Sequence, residues 1–174
     1  MKDRRRFFWA FLLATLILDQ AVKAWARGAF AEHQAPGFPW PGVFELTLTY
    51  NKGVAFGMMQ GSALWVAPIA ILIAALAFHF SLRHPAETRW VHTAMGLIAS
   101  GALGNLVDRL RYGRVTDMFW FRAIDFPVFN LADACITGAA IMIVLTWVMP
   151  AGHRDGSSEP KEAQGPETPS EAPS

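Results

Sequence analysis

Residues 63–82, ALWVAPIAILIAALAFHFSL, form a long apolar run that contains no Asp, Glu, Lys or Arg. An α-helix needs about 20 residues to cross the hydrocarbon core of a bilayer. The apolar residues follow one another without the two-residue alternation of a membrane-barrel strand. This stretch therefore predicts a transmembrane α-helix.

Three further apolar stretches have similar character. They cover residues 7–18 (extended through Ala26), 91–107 and 134–149. The whole chain has 174 residues, of which 53% are hydrophobic and only 17% are charged. This composition predicts an all-α membrane protein with four transmembrane helices in one domain, residues 1–150. Residues 151–174 are rich in Pro, Ser, Glu and Gly, and predict a disordered tail.

The first apolar stretch has a second interpretation. Basic residues precede it, and Ala24-Trp25-Ala26 fits the small-x-small pattern of a signal-peptide cleavage site. Against this, Asp19 and Lys23 place two charges where a cleavable signal peptide is normally uncharged. From these residues alone, both a retained helix and a cleaved signal peptide remain open.

A β-rich segment is predicted between the first two helices, at about residues 39–60. Phe44, Leu46, Leu48 and Tyr50 alternate with polar residues, which is the pattern of a half-buried strand. Residues 51–53, Asn-Lys-Gly, then supply a turn signal. We expect a small sheet or hairpin that rests on the membrane surface.

Basic residues in short loops predict the orientation of the helices. The N-terminal cluster, Arg83, Arg89 and the basic residues of the tail place both termini in the cytoplasm. Four arginines between the third and fourth helices then lie outside, against the rule: Arg109, Arg111, Arg114 and Arg122. We expect them to have specific partners such as carboxylates or lipid phosphates. The net charge of +1 gives no general attraction to nucleic acid.

Four aspartates are the main candidates for chemistry, because carboxylates at membrane depth are costly and usually functional. Asp19, Asp108, Asp117 and Asp133 all lie at or near the predicted outer ends of helices. Capping of helices and pairing with arginine would explain any one of them. Their predicted convergence on one side of the membrane favours a functional role.

The start of the fourth helix has a recognisable cap. Asn130 suits the N-cap position, and Asp133, three residues later, completes a pattern that resembles a capping box. The N-terminus of a helix also favours an ionised carboxylate. If Asp133 faces another carboxylate, we expect Asp133 to carry the negative charge.

The third helix carries small residues at intervals of four: Gly96, Ser100 and Gly104. Such a strip predicts close approach of another helix. The same interval continues to Asp108, and Asn105 follows Gly104 with a side chain that could bond to a neighbouring helix. No pair of histidines has metal-binding spacing, so the sequence predicts no metal site.

Five motifs together resemble the lipoprotein signal peptidases, or signal peptidase II family. They are Asp19-Gln20-Ala21-Val22-Lys23, Tyr50-Asn51-Lys52-Gly53-Val54-Ala55-Phe56, residues 101–109 (GALGNLVDR), residues 113–117 (GRVTD) and residues 129–133 (FNLAD). They occur in the family's order, from the first predicted helix to the fourth. One departure is Met118, where the family usually has phenylalanine.

The resemblance implies a membrane aspartic peptidase with a small β cradle on the periplasmic face of the inner membrane. Asp117 and Asp133 would be the catalytic pair; Asn51, Asn105, Arg109 and Asn130 would position substrate or support the pair, and Asp19 and Lys23 would belong to the framework near the site. The first helix would then be retained. The implied reaction is cleavage of diacylglyceryl-modified prolipoproteins on the N-terminal side of the lipidated cysteine, with no metal or organic cofactor.

The implied partners are these prolipoproteins and membrane lipids, with no nucleic acid, and we expect a monomer. Two other interpretations compete with the peptidase. A small proton- or cation-coupled transporter could use the same aspartates as relay sites, although their position near one surface is unlike a midplane transport site. A scaffold that assembles through the small-residue strip would leave the aspartates without a role.

Overall fold

The computed structural model describes residues 3–53 and 66–148. Within these ranges the chain forms a mostly helical domain with a small antiparallel sheet, as the sequence predicts. Its elements are α1 (Arg5–Ala29), β1 (Pro39–Trp40), β2 (Phe44–Asn51), α2 (Ala67–Arg83), α3 (Arg89–Tyr112), β3 (Val115–Trp120) and α4 (Leu131–Val148). A short 3₁₀ turn, Arg122–Ile124, lies between β3 and α4.

Only α1, among the described helices, is long and apolar enough to cross a membrane by length and composition. Helix α2, Ala67–Arg83, and the part of α4 from Leu131 to Thr146 are apolar but shorter. The apolar run that contains α2 begins at residue 63, outside the described residues, and the predicted tail, residues 151–174, also lies outside them. The four-span arrangement therefore stays a prediction.

Helix α3 is the centre of the bundle and packs against each of the other three helices. Phe8 of α1 lies against Gly96 near the start of α3, whereas Lys23 contacts Asn105 further along. These contacts mean that α1 and α3 run in the same direction.

The other two helices run against α3. Near the end of α2, the Ser81 hydroxyl is 2.9 Å from Nδ1 of His92, which lies in the first turn of α3. The start of α2 packs toward the other end of α3, where Ala67 and Leu106 share one apolar cluster. In the first turn of α4, Ala132 lies beside Gly104 of α3, whereas Ile136, further along α4, lies beside Gly101. Successive helices therefore alternate in direction.

The predicted small-residue strip of α3 faces α1. A Cβ atom on Gly96 would lie 2.6 Å from the carbonyl oxygen of Phe8. Between the two glycines, Ser100 accepts a hydrogen bond of 2.6 Å from the Thr15 hydroxyl. The prediction of close helix approach is confirmed, because only small residues leave room for the α1 backbone here.

The sheet has the order β1-β2-β3, with β2 in the centre. The turn predicted after β2 is present, since the Gly53 N–H donates to Oδ1 of Asn51 at 2.9 Å. The half-buried pattern predicted for β2 is wrong in one respect: Glu45 and Thr47, on its polar side, are also buried. The cause at Glu45 is an ion pair of 2.9 Å with Arg122, which covers the carboxylate.

The sequence predicted specific partners for the four arginines between the third and fourth helices, and two of these partners are seen here. Arg122 has a carboxylate partner in Glu45. Arg114 stacks on an aromatic ring, with its guanidinium carbon 3.4 Å from the centroid of Tyr50. Specific partners therefore exist for these two arginines, one ionic and one a cation–π contact.

Gly96→Ala tests the packing of α1 on α3. The new methyl group would meet the backbone of Phe8, so α1 must shift, and we expect a loss of about 1–3 kcal/mol in the free energy of unfolding. Gly138→Ala is the control, because a Cβ atom there has nothing within 4 Å. Thermal unfolding in detergent should show a lower Tm for Gly96→Ala alone; equal Tm values for the two variants would contradict the packing argument.

Candidate active site

Asp117 reaches the site on strand β3. In the register of β3 with β2, Asp117 lies opposite Thr49, and its side chain is buried with 3% exposure. Gly113 ends α3 in the left-handed conformation at φ 66°, which favours glycine. The Thr116 N–H then donates to Oδ2 of Asp108 at 2.8 Å. The end of α3 thus holds the beginning of the strand that carries Asp117.

Asp133 reaches the site in the first turn of α4. The Asp133 N–H donates to Oδ1 of Asn130 at 3.0 Å. In return, Oδ2 of Asp133 accepts from the Asn130 N–H at 3.2 Å. The predicted capping box is confirmed, with aspartate in place of the usual Glu or Gln.

Asn130 joins these two aspartates. The N–H groups of Met118 and Phe119 both donate to the carbonyl oxygen of Phe129, at 3.0 and 2.9 Å. This contact fixes the chain just before α4 against β3. The Asn130 amide nitrogen then donates to Oδ1 of Asp117 at 2.6 Å. One buried asparagine therefore contacts both carboxylates.

Asn105 of α3 supports the same pair. Its Nδ2 donates to Oδ1 of Asp133 at 2.8 Å. Its Oδ1 accepts from the Asn130 amide at 3.1 Å and from the Lys23 ammonium at 2.9 Å. The hydrogen bond that the sequence predicted from Asn105 to a neighbouring helix is confirmed.

Asp19 and Lys23 form a buried ion pair behind this group. The Lys23 ammonium lies 2.9 Å from Oδ2 of Asp19, and neither side chain is appreciably exposed. Oδ1 of Asp19 accepts from the N–H of Ala132 at 3.0 Å. Asp19 thus binds the first turn of α4, and Lys23 reaches from α1 to the asparagine beside Asp133.

Arg109 and Asn51 lie on the other side of the site. Arg109 donates from Nη2 to the carbonyl oxygen of Gly53 at 2.9 Å. The Gly53 N–H is bonded to Asn51, which ends β2 opposite Val115. Arg109 also donates from Nη1 to the carbonyl oxygen of Asn105 at 3.3 Å, so Asn51 is joined through the turn and Arg109 to the residue that bonds Asp133.

The two carboxylates have different surroundings. Burial, followed by the negative charge of Asp133, raises the pKa of Asp117 to about 7. The hydrogen bond from Asn130 and the charges of Lys23 and Arg109 act in the opposite direction. A neutral Asp117 is thus the dominant form in mildly acidic solution. Two carboxyl groups in unlike environments can divide the acid and base roles of hydrolysis.

The sequence interpretation did not single out Arg27 or Thr116. Arg27 donates to the Thr116 hydroxyl at 2.8 Å and lies 3.6 Å from Oδ1 of Asp108. The available signal was the interval of four from Asp19 through Lys23 to Arg27, which places all three on one face of α1.

None of the described residues forms a cluster of three or more His, Cys, Asp or Glu side chains that could hold a metal ion.

Two solved structures have the same fold. Both are described as bacterial membrane enzymes determined by the in meso method. The structure at 2.3 Å resolution has a TM-score of 0.77 and 24% identity, and the match covers 88% of this chain and 94% of that one. The structure at 1.9 Å resolution has a TM-score of 0.73 and 26% identity, and the match covers 81% of this chain and 92% of that one.

Sequence comparison identifies the family. The profile of signal peptidase (SPase) II matches residues 11–149. The chain is 36% identical to the lipoprotein signal peptidase of Gloeobacter violaceus, over 84% of each chain. It is 37% identical to that of Deinococcus radiodurans, over 87% of this chain and 86% of that protein. The chain therefore belongs to the signal peptidase II family.

Proposed function

We propose that this peptidase cleaves diacylglyceryl-modified prolipoproteins on the N-terminal side of the lipidated cysteine, with Asp117 and Asp133 as its catalytic pair. The observation that carries the proposal is the contact of Asn130 with both carboxylates. Family membership supports cleavage of lipoprotein signal peptides. It gives no support to the transporter interpretation.

The hydrogen bonds favour one division of roles. Both oxygens of Asp133 accept from N–H groups, those of Asn105 and Asn130. An ionised carboxylate, which can only accept, suits this position at the N-terminus of α4. In Asp117, Oδ1 accepts the hydrogen bond from Asn130. The proton of a neutral Asp117 therefore belongs on the other oxygen, Oδ2. Asp133 is the proposed base, and Asp117 is the proposed acid.

The reaction then follows from proton positions. Asp133 takes a proton from water as the water oxygen attacks the scissile carbonyl carbon. Asp117 donates its proton to the carbonyl oxygen, which leaves a neutral tetrahedral intermediate. Collapse of this intermediate re-forms the carbonyl and breaks the C–N bond, while the proton on Asp133 passes to the leaving amine. The hydroxyl proton of the intermediate returns to Asp117, so both carboxyl groups regain their starting states.

The proposed membrane arrangement has four spans, α1 to α4, with both termini in the cytoplasm of a bacterium. Alternating helix directions support it, since each helix then crosses the membrane and each connection stays on one side. The candidate site lies at one end of the bundle, near the C-terminal parts of α1 and α3 and the start of α4. In this orientation the site and sheet lie near the periplasmic face, where a diacylglyceryl anchor would hold the cysteine.

Arg109 and Asn51 are the proposed substrate-positioning residues. Arg109 is buried, and its guanidinium bonds the turn that holds Asn51. Its charge also acts on Asp117. Arg109 would therefore hold this turn beside the pair, where the Asn51 amide would bond a peptide group of the substrate. The proposed enzyme acts as a monomer, because all proposed catalytic groups come from one chain.

Asp117→Asn and Asp133→Asn should each lower the cleavage rate by roughly 100- to 10,000-fold, because each removes one proton-transfer group. Both variants should remain folded. Asparagine resembles the neutral Asp117 side chain in shape, and at position 133 we expect a loss of about 1 kcal/mol from weaker capping. Purified protein in detergent would be mixed with a diacylglyceryl-modified prolipoprotein, and cleavage would be followed by mass spectrometry.

The matched control is Lys52→Ala, because Lys52 lies in the exposed part of the turn after β2. It should retain nearly full activity. An unlipidated substrate should be cleaved poorly by every variant. Undiminished cleavage by either aspartate variant would remove that aspartate from the proposed pair.

The cleavage rate should depend on pH through Asp117. With a pKa of about 7, Asp117 loses its proton as the pH rises through neutrality, and a deprotonated Asp117 cannot act as the acid. We expect kcat/KM, which reports the substrate-free enzyme, to fall about tenfold per pH unit above about pH 7. Initial rates between pH 5 and 9 would test this. A rate that rises through this range would contradict the assignment of the acid.

A further inference from the structure

Lys23 is a fully buried cation that contacts Asn105, the residue that bonds Asp133 of the proposed pair. Its ammonium lies 2.9 Å from Oδ1 of Asn105 and 2.9 Å from Oδ2 of Asp19. It also lies 3.9 Å from Oδ2 of Asp108. Lys23 can balance the negative charges of Asp19 and Asp108 without any contact with Asn105. Charge balance alone therefore does not explain the hydrogen bond to Asn105.

The contact with Asn105 decides which way the amide points. An ammonium group has only donors, whereas an asparagine amide has a donor end and an acceptor end. The oxygen of Asn105 must therefore face Lys23, and its NH₂ group faces Asp133. A reversed amide would place its NH₂ group against the Lys23 ammonium and the Asn130 amide nitrogen. It would also place its oxygen against the Asp133 carboxylate.

The second asparagine is fixed in a similar way. The Asp133 N–H is an obligate donor to Oδ1 of Asn130, so the Asn130 NH₂ group must point in the other direction. Its two hydrogens serve Oδ1 of Asn105 and Oδ1 of Asp117. With the Asn105 amide in this orientation, Oδ1 of Asp133 receives a donor, and Oδ2 accepts from the main-chain N–H of Asn130.

We infer that Lys23 is a positioning residue for the proposed reaction: together with Asn130, it fixes the Asn105 amide so that the Asn105 NH₂ group donates to the proposed base, Asp133. This inference rests on the proposed function. Lys23 acts through Asn105 and does not touch the reacting atoms. Its charge also acts on Asp117 over a longer distance, together with those of Asp133 and Arg109.

Lys23→Met tests the inference, because methionine has a similar length but no charge and no donor. Without Lys23 the Asn105 oxygen keeps only the Asn130 donor, so the amide is held less firmly. We expect kcat to fall about 100-fold, as for a misplaced catalytic group, with little change in KM. Loss of the positive charge also favours neutral Asp117. The alkaline limb of the pH–rate profile should therefore move to higher pH.

A purely structural Lys23 would behave differently. Loss of folded protein would lower the rate only in proportion to the folded fraction, so kcat per folded molecule would be unchanged. The double variant Asp19→Asn/Lys23→Met removes the buried charge that Lys23→Met leaves unpaired, and remains testable where the single variant does not fold. Its kcat should remain about 100-fold below that of Asp19→Asn alone.

Three results would overturn the inference: an unchanged kcat in Lys23→Met, a rate loss no larger than the loss of folded protein, or recovery of kcat in the double variant. The aspartate variants separate this inference from the proposed function. If Asp117→Asn and Asp133→Asn are inactive while Lys23→Met is normal, only the positioning role of Lys23 falls. If the parent protein cleaves no lipidated substrate, both proposals fall.

Discussion

The reciprocal hydrogen bonds between Asn130 and Asp133 are the interaction on which the site depends. They begin α4, and the same asparagine binds Asp117 on β3. A helix start, a strand and a pair of carboxylates are therefore fixed by one residue, through its side chain and its main-chain N–H. A change at Asn130 would remove the helix cap and the contact with Asp117 together, so its structural and chemical roles cannot be separated by a single substitution.

The charges behind this asparagine are balanced in a buried network. Asp19 and Asp108 face Lys23 and Arg27, so two negative groups meet two positive ones. Buried ions are costly to desolvate, and such a network is weak evidence for stability. Its members instead contact the groups that build the site: the first turn of α4, the amide of Asn105 and the start of β3. We regard this network as the means by which α1 and α3 hold the site in register.

Much of this arrangement follows from local sequence patterns, and the remainder depends on distant contacts. The N-cap at Asn130 and the strip from Gly96 to Gly104 could be predicted because the relevant spacing lies within one helix. Strand β3 could not, because Val115 to Met118 are buried on both faces and show no alternation. The contact of Lys23 with Asn105 joins residues 82 positions apart. The pairing of Asp117 with Asp133 came from family resemblance, and their catalytic roles remain a prediction.

The two aspartates come from different kinds of secondary structure, and this difference has a chemical consequence. Asp133 lies at the N-terminus of a helix, where backbone N–H groups and the helix dipole favour negative charge. Asp117 lies on a strand, whose net dipole is small, in a more buried position. Two carboxyl groups on equivalent elements would compete equally for one proton. Here the fold itself makes them unequal, and a donor-only cation, Lys23, lies behind the Asn105 amide that bonds Asp133.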